Sequence, residues 1–158
     1  MTVLKLLMLL SLIVWFGGLI FFAFVVAPSA FSVLPTRHMA SSLVGRTLAA
    51  LHWMGIVSGI IYLVCSLLIS RLTSGELHPF ATRNVVILLM LILTLISQFA
   101  ISPKMHAIRA SVVEIDNVPV TDSARVEFNA LHVWSERLEK GVFFLGLGLV
   151  YLTARLFS

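Results

Sequence analysis

Four long apolar runs, separated by short polar stretches, organise the chain. The first extends from Leu6 to Ala27, between Lys5 and Pro28. The second covers Leu48 to Ser70 and meets Arg71; the third covers Asn84 to Ile101 and stops short of Pro103. The last is strongly apolar only from Gly141 to Phe157, so its span is placed at residues 138–157, drawing in part of the polar ramp before it. Crossing a bilayer takes about 20 mostly apolar residues. Backbone polar groups in hydrocarbon must also be satisfied internally, which makes helices of such runs. The expected fold is therefore all-α: one integral membrane four-helix bundle over residues 1–158, with spans at 6–27, 48–70, 84–101 and 138–157. Helices two and four are expected to extend beyond the bilayer on one side.

Local signals place the ends of these helices. The first run is longer than the roughly 7–15 apolar residues of a signal peptide, and Pro28 interrupts the small-residue cleavage pattern, so a retained helix is expected. Gly17 and Gly18 fall in its middle, where absent side chains let a neighbouring helix approach. The second helix is expected to start near Pro35 or Thr36, since proline suits a first helical turn. Asp122 or Ser123 is a suitable N-cap for the fourth. Between these elements, Arg71–Arg83 with Gly75 and Pro79 reads as a loop, and Glu114–Ser123 as an irregular segment.

Composition strengthens the membrane reading. Only 11% of residues are charged, against about 25% in soluble domains. A net charge of +4 could signal nucleic acid, but the eleven basic residues are scattered at the ends of apolar runs. That placement suits phospholipid head groups, and no nucleic-acid partner is expected. The single cysteine, Cys65, excludes an intramolecular disulfide. Four spans put both termini and the Arg71–Arg83 loop on one face, side A, and the Pro28–Arg46 and Lys104–Lys140 segments on side B. Side B holds seven of the Lys and Arg residues and side A four. The positive-inside rule then makes side B cytoplasmic and the termini non-cytoplasmic.

Side B also gathers the candidate chemistry. His38, His52, His106 and His132 fall on it or just inside it. Neutral imidazoles converging from several helices suit a transition metal or a haem b iron. Equally, side B holds most of the extramembrane residues and would collect histidines without any site. His52 lies about five residues inside its span, where an ionisable group is costly and usually faces the bundle interior; that depth, about 7.5 Å at 1.5 Å per residue, suits equally a hydrogen-bonded interfacial histidine beside Trp53. Asn129, His132, Ser135, Glu136 and Glu139 form one polar stripe at helical spacing, and His132 and Glu136 share a face. Arg46 is expected to offset Glu136 or Glu139 across the bundle. A His52–His132 pair on one haem would need helix four to sit deeper than its hydropathy suggests. Thr94, Ser97 and Gln98 make a small polar patch in span three, explained by interhelical hydrogen bonding or by a substrate path. No phosphate loop or nucleophile constellation appears, so no catalytic residue is assigned and enzyme status stays open.

Three fragments together, Trp15–Phe31 (WFGGLIFFAFVVAPSAF), Ser102–Arg109 (SPKMHAIR) and Phe128–Ser135 (FNALHVWS), resemble the transmembrane protein 205-like family of small four-span membrane proteins. The resemblance runs along nearly the whole chain. Its motif positions here are Trp15, Gly17, Gly18, Phe21, Ala27, Pro28, Pro103, Arg109, Phe128, His132 and Ser135. It implies a four-helix membrane bundle without a defined chemistry. More loosely, the chain resembles four-span, histidine-bearing membrane proteins of the copper-resistance and haem-linked oxidase type. The expected function is a membrane protein binding a ligand or cofactor, metal or haem included, at a polar mouth. His132, His52, Arg46, Glu136, Arg109 and Ser135 would contribute to it, with Trp15, Gly17, Gly18 and Pro28 in helix packing. A structural or accessory subunit with a membrane-protein partner is the alternative, as is a small transporter built as a homo-oligomer.

Overall fold

The computed structural model describes residues 1–112 and 117–157, and all regular structure among them is helical. Four long helices carry it: α1 (Thr2–Val33), α2 (Arg37–Ser74), α3 (Thr82–Ser111) and α4 (Ser123–Phe157). The first three are each long and apolar enough to cross a membrane. Among the described residues the fourth is not in that group, and its first half is polar, with Glu127, Glu136, Arg137, Glu139 and Lys140.

Helix ends follow the local chemistry. The Thr36 hydroxyl accepts from the Met39 amide at 3.2 Å and starts α2. Gly75, at φ +76°, closes it in the left-handed conformation that other residues resist. Asp122 Oδ1 accepts from the Ala124 amide at 2.8 Å, so of the two candidate caps Asp122 serves α4. Residues 117–122 form no α-helix, as expected for the irregular segment, while residues 113–116 of that segment lie outside the described residues. Two helices outrun their apolar stretches: α1 passes Pro28 to Val33 and α3 passes Pro103 to Ser111. In both, a π-helical turn, Phe22–Val26 or Ser97–Ile101, ends two residues before the proline. Proline removes one amide donor and crowds the preceding turn. A widened turn there lets the helix continue.

Contacts fix the directions of the helices. Trp15 lies against Gly55 and Gly59 while Gly18 lies against Leu51, so α1 and α2 are antiparallel. Ser66 meets Asn84 and His52 meets Gln98, so α2 and α3 are antiparallel too. Gly141 faces Leu93 and Glu139 meets Ser97, which orients α4 against α3. Diagonal pairs His52–Glu139 and Tyr62–Thr153 show α2 and α4 running parallel. A main cluster including Trp15, Phe16, Leu51, Tyr62, Met90 and Leu149 fills the centre. A second, smaller one (Ile101, Met105, Phe128) holds the extensions of α3 and α4 together.

The outside is apolar as well. Phe21, Phe24, Val57, Ile60, Leu88, Ile92, Phe144 and Leu147 are all exposed. Buried positions include Ser58, Ser66, Asn84, Thr94, Ser97 and Thr153. Such a surface suits hydrocarbon rather than water, and of the buried polar groups Ser66, Asn84, Ser97 and Thr153 are paired across helices.

Candidate functional site

His52 is 2% exposed and anchors the densest polar contact between helices. Its Nε2 lies 2.7 Å from Glu139 Oε1 on α4, and its Nδ1 lies 2.9 Å from Gln98 Oε1 on α3. The Ser97 hydroxyl donates to the same Glu139 oxygen at 3.4 Å. Both ring nitrogens thus face oxygen acceptors, an arrangement that a doubly protonated imidazolium satisfies by donating twice. A neutral ring donates to Glu139 alone, and Gln98 then turns its amide nitrogen to the other side. The Ser97–Ile101 π turn brings both Ser97 and Gln98 into this contact. A carboxylate so deep in a helical body is costly unless paired and hydrogen-bonded. His52 supplies the partner.

This contact also decides the height of α4. Glu139 is level with His52, and His132 precedes it by seven residues, roughly 10.5 Å at 1.5 Å per residue. His52 and His132 therefore do not meet. His132 is instead 55% exposed and pairs with Glu136 at 3.3 Å, one turn along. Glu136 in turn accepts from Lys140 at 3.1 Å. Neither carboxylate reaches Arg46, which is exposed on α2, so the expected offset across the bundle is not made.

A cavity of about 880 Å³ opens beside this contact, lined by all four helices. Its floor is apolar: Leu19, Phe22 and Ala27 from α1, Leu48 from α2, Phe143 from α4. Its mouth carries Arg37, His106, Arg109, Asn129, His132, Ser135, Glu136 and Lys140. Glu139 belongs to both the cavity wall and the His52 contact. Pockets of about 300–1,000 Å³, mostly apolar with a few placed polar groups, are the usual form of small-molecule sites. Four of the expected site residues, Arg109, His132, Ser135 and Glu136, line this cavity together. His52 stands behind its wall, and Arg46 lies outside it.

Arg109 has a distinctive setting. Its guanidinium stacks 5.1 Å from the centre of the Phe128 ring. It also lies over Gly45, where an added Cβ would come within 2.8 Å of Nη1. Its Nε is buried without a hydrogen-bond partner. The helix-packing residues are distributed differently from the expectation. Trp15 is buried in the α1–α2 seam, and the space for it is made by Gly55 and Gly59. Gly18 faces Leu51, Gly17 faces no atom within 4 Å, and Pro28 is exposed.

Among the described residues, no three His, Cys, Asp or Glu side chains gather where they could hold a metal ion. The model of a family described as a domain of unknown function, DUF4149, matches residues 10–113. The chain belongs to this family. The match takes in α1 from residue 10, α2 and α3, including His52, Gln98 and Arg109, while α4 with Glu139 and His132 lies beyond it. No curated protein and no solved structure matches the chain.

Proposed function

We propose that this DUF4149 member is a membrane-embedded binding protein whose ligand enters the cavity between its four helices. The observation that carries it is a cavity of about 880 Å³ with an apolar floor and an ionisable mouth. In this reading α4 is a fourth span that tilts little, so that Lys140 and Glu136 stay at the interface. Both termini then lie on one side, non-cytoplasmic by the distribution of Lys and Arg, and kinship with the transmembrane protein 205-like family follows from the shared motif positions. Haem and transition metals are not part of the proposal, because His52 spends both ring nitrogens on protein partners. An absorbance spectrum lacking a Soret band after expression with haem supply agrees with this; a Soret band would overturn it.

Native mass spectrometry of protein extracted in mild detergent tests the binding reading. A small molecule released from the parent and absent from the cavity-filling variant Ala27→Trp supports it. Identical, bare spectra for both would count against it. The fourth span is tested by asking whether a C-terminal epitope and an Asp122→Cys label are reached from opposite sides of the membrane.

A second reading has one observation in its favour. Gly17 opens onto a groove of about 310 Å³ between α1 and α4, lined also by Ile13, Phe16, Val150 and Ala154. Small residues in such a groove admit a further helix, as an accessory subunit or a homo-oligomer would require. Loss of a defined co-purifying membrane partner in Gly17→Leu would favour it.

A further inference from the structure

The charges at the cavity mouth are unevenly matched. Both carboxylates are already occupied: Glu136 by His132 and Lys140, Glu139 by His52 and Ser97. No ion pair among the described residues reaches Arg109 or Arg37, which line the same cavity. Arg109 is the more telling of the two, since its guanidinium is partly withdrawn from water and its Nε lacks any partner. A guanidinium without a counter-charge is costly to withdraw from water, and its planar outer nitrogens fit a carboxylate or phosphate with parallel hydrogen bonds. Stacking on Phe128 and contact with Gly45 hold it in place before any anion arrives. Directly below lies a floor of aliphatic and aromatic side chains, continuous with the exposed Phe24 and Phe144 on the outer surface.

We infer that the cavity takes a single-chain anionic amphiphile, its carboxylate or phosphate head on Arg109 and its hydrocarbon chain on the apolar floor. This rests on the binding reading above and names the chemistry of its ligand. Either a free fatty acid or a lysophospholipid supplies that chemistry. An acidic head accounts for the unpaired cation, and a chain accounts for the floor; a soluble anion would leave the floor unused and a neutral lipid would leave Arg109 unpaired.

The test compares radiolabelled oleate, oleoyl-lysophosphatidate and oleyl alcohol binding to the full chain in non-ionic micelles, by scintillation proximity. At least one acid should bind on the order of tenfold or more tighter than the alcohol, the margin of a charge-assisted hydrogen bond. The preferred acid identifies the source as free carboxylate or lipid phosphate. Arg109→Gln should bring the acids down to the level of the alcohol, and Arg109→Lys should restore part of the difference. Should Arg109→Gln fail to fold, the acid-to-alcohol contrast in the parent decides alone. Equal binding of alcohol and acids, or unchanged acid binding in folded Arg109→Gln, overturns the anionic assignment and leaves the binding reading standing. If none of the three chains binds the parent, both fall.

Discussion

The two ends of this helical body handle buried polarity in opposite ways. Near the α2–α3 loop, Arg83 Nε donates to the Ser66 hydroxyl at 2.7 Å, Ser66 donates to Asn84 Oδ1 at 2.7 Å, and Asn84 Nδ2 donates to the His78 carbonyl at 2.9 Å. One turn deeper, the Thr153 hydroxyl donates to the Leu149 carbonyl at 2.7 Å, so the Tyr62 hydroxyl is the donor to Thr153 at 2.6 Å. Donors and acceptors there form closed chains, and the space left between α1 and α4 is an apolar groove of about 310 Å³. At the other end the His52–Glu139 contact is as tightly paired, but beyond it the helices leave a cavity lined by Arg109, which no ion pair among the described residues reaches. The two ends thus differ in the size and polarity of the space they leave between helices.

Glycine substitutions on α2 break that contrast most sharply. An added Cβ at Gly55 would lie 2.7 Å from Trp15 Cε2 and 2.9 Å from Cδ1, both atoms of a rigid buried ring. Gly55→Ala should cost about 1–3 kcal/mol, the range for overpacking a filled core, read as a lower midpoint in SDS-induced unfolding. Glu139→Ala comes next. It strips His52 of its carboxylate, and a buried donor left without a partner costs about 1–3 kcal/mol. Glu139→Gln keeps an acceptor for His52 and should lose less than half as much. Equal losses in the two variants would mean that charge, rather than hydrogen bonding, holds α2 to α4.

Much of the helical architecture could be read from the residues alone. Asp122 caps α4 as one of the two residues expected there, and the three apolar helices follow from run length; α2 starts beside Thr36 as placed, but on the Thr36 cap, with Pro35 lying before the first turn. His52 was legible as costly within its span, but a depth of five residues left it between the bundle interior and an interfacial place beside Trp53, and only its burial at 2% exposure decides for the interior. Its partners were less legible still. Glu139 reads as one member of a solvated stripe with His132 and Glu136, since helical spacing alone does not reveal how deep α4 sits against α2. Gln98 and Ser97 read as an interhelical patch without an address, because the π turn that displaces them leaves no mark beyond Pro103. The helix seam was sought at Gly17 and Gly18, whereas Trp15 needs the gaps at Gly55 and Gly59; which glycine faces a bulky neighbour depends on helix rotation, which sequence spacing leaves free.

The closed end should respond moderately to the loss of its hub. Asn84→Ala removes the acceptor for Ser66 and the donor to His78, and interhelical hydrogen bonds of this kind are worth about 0.6–1.7 kcal/mol. Its unfolding midpoint should fall between those of Glu139→Ala and the parent, without any change in what the cavity binds. A change in binding would show the two ends to be coupled.

Gly45→Ala should have the smallest effect on stability and is the sharpest comparison with Gly55→Ala, because both replace a glycine on the same helix. Here the new Cβ would meet only Arg109 Nη1, the far end of a flexible side chain that can move aside. The exchange of glycine for alanine within a helix is itself favourable by up to about 1 kcal/mol. The unfolding midpoint should therefore stay level or rise. The guanidinium, however, has to leave the place where Gly45 and Phe128 hold it, so affinity for an anionic chain should fall while that for oleyl alcohol stays the same. A drop in stability as large as that of Gly55→Ala would show that Arg109 is packed as firmly as Trp15, and the open end would then be part of the core.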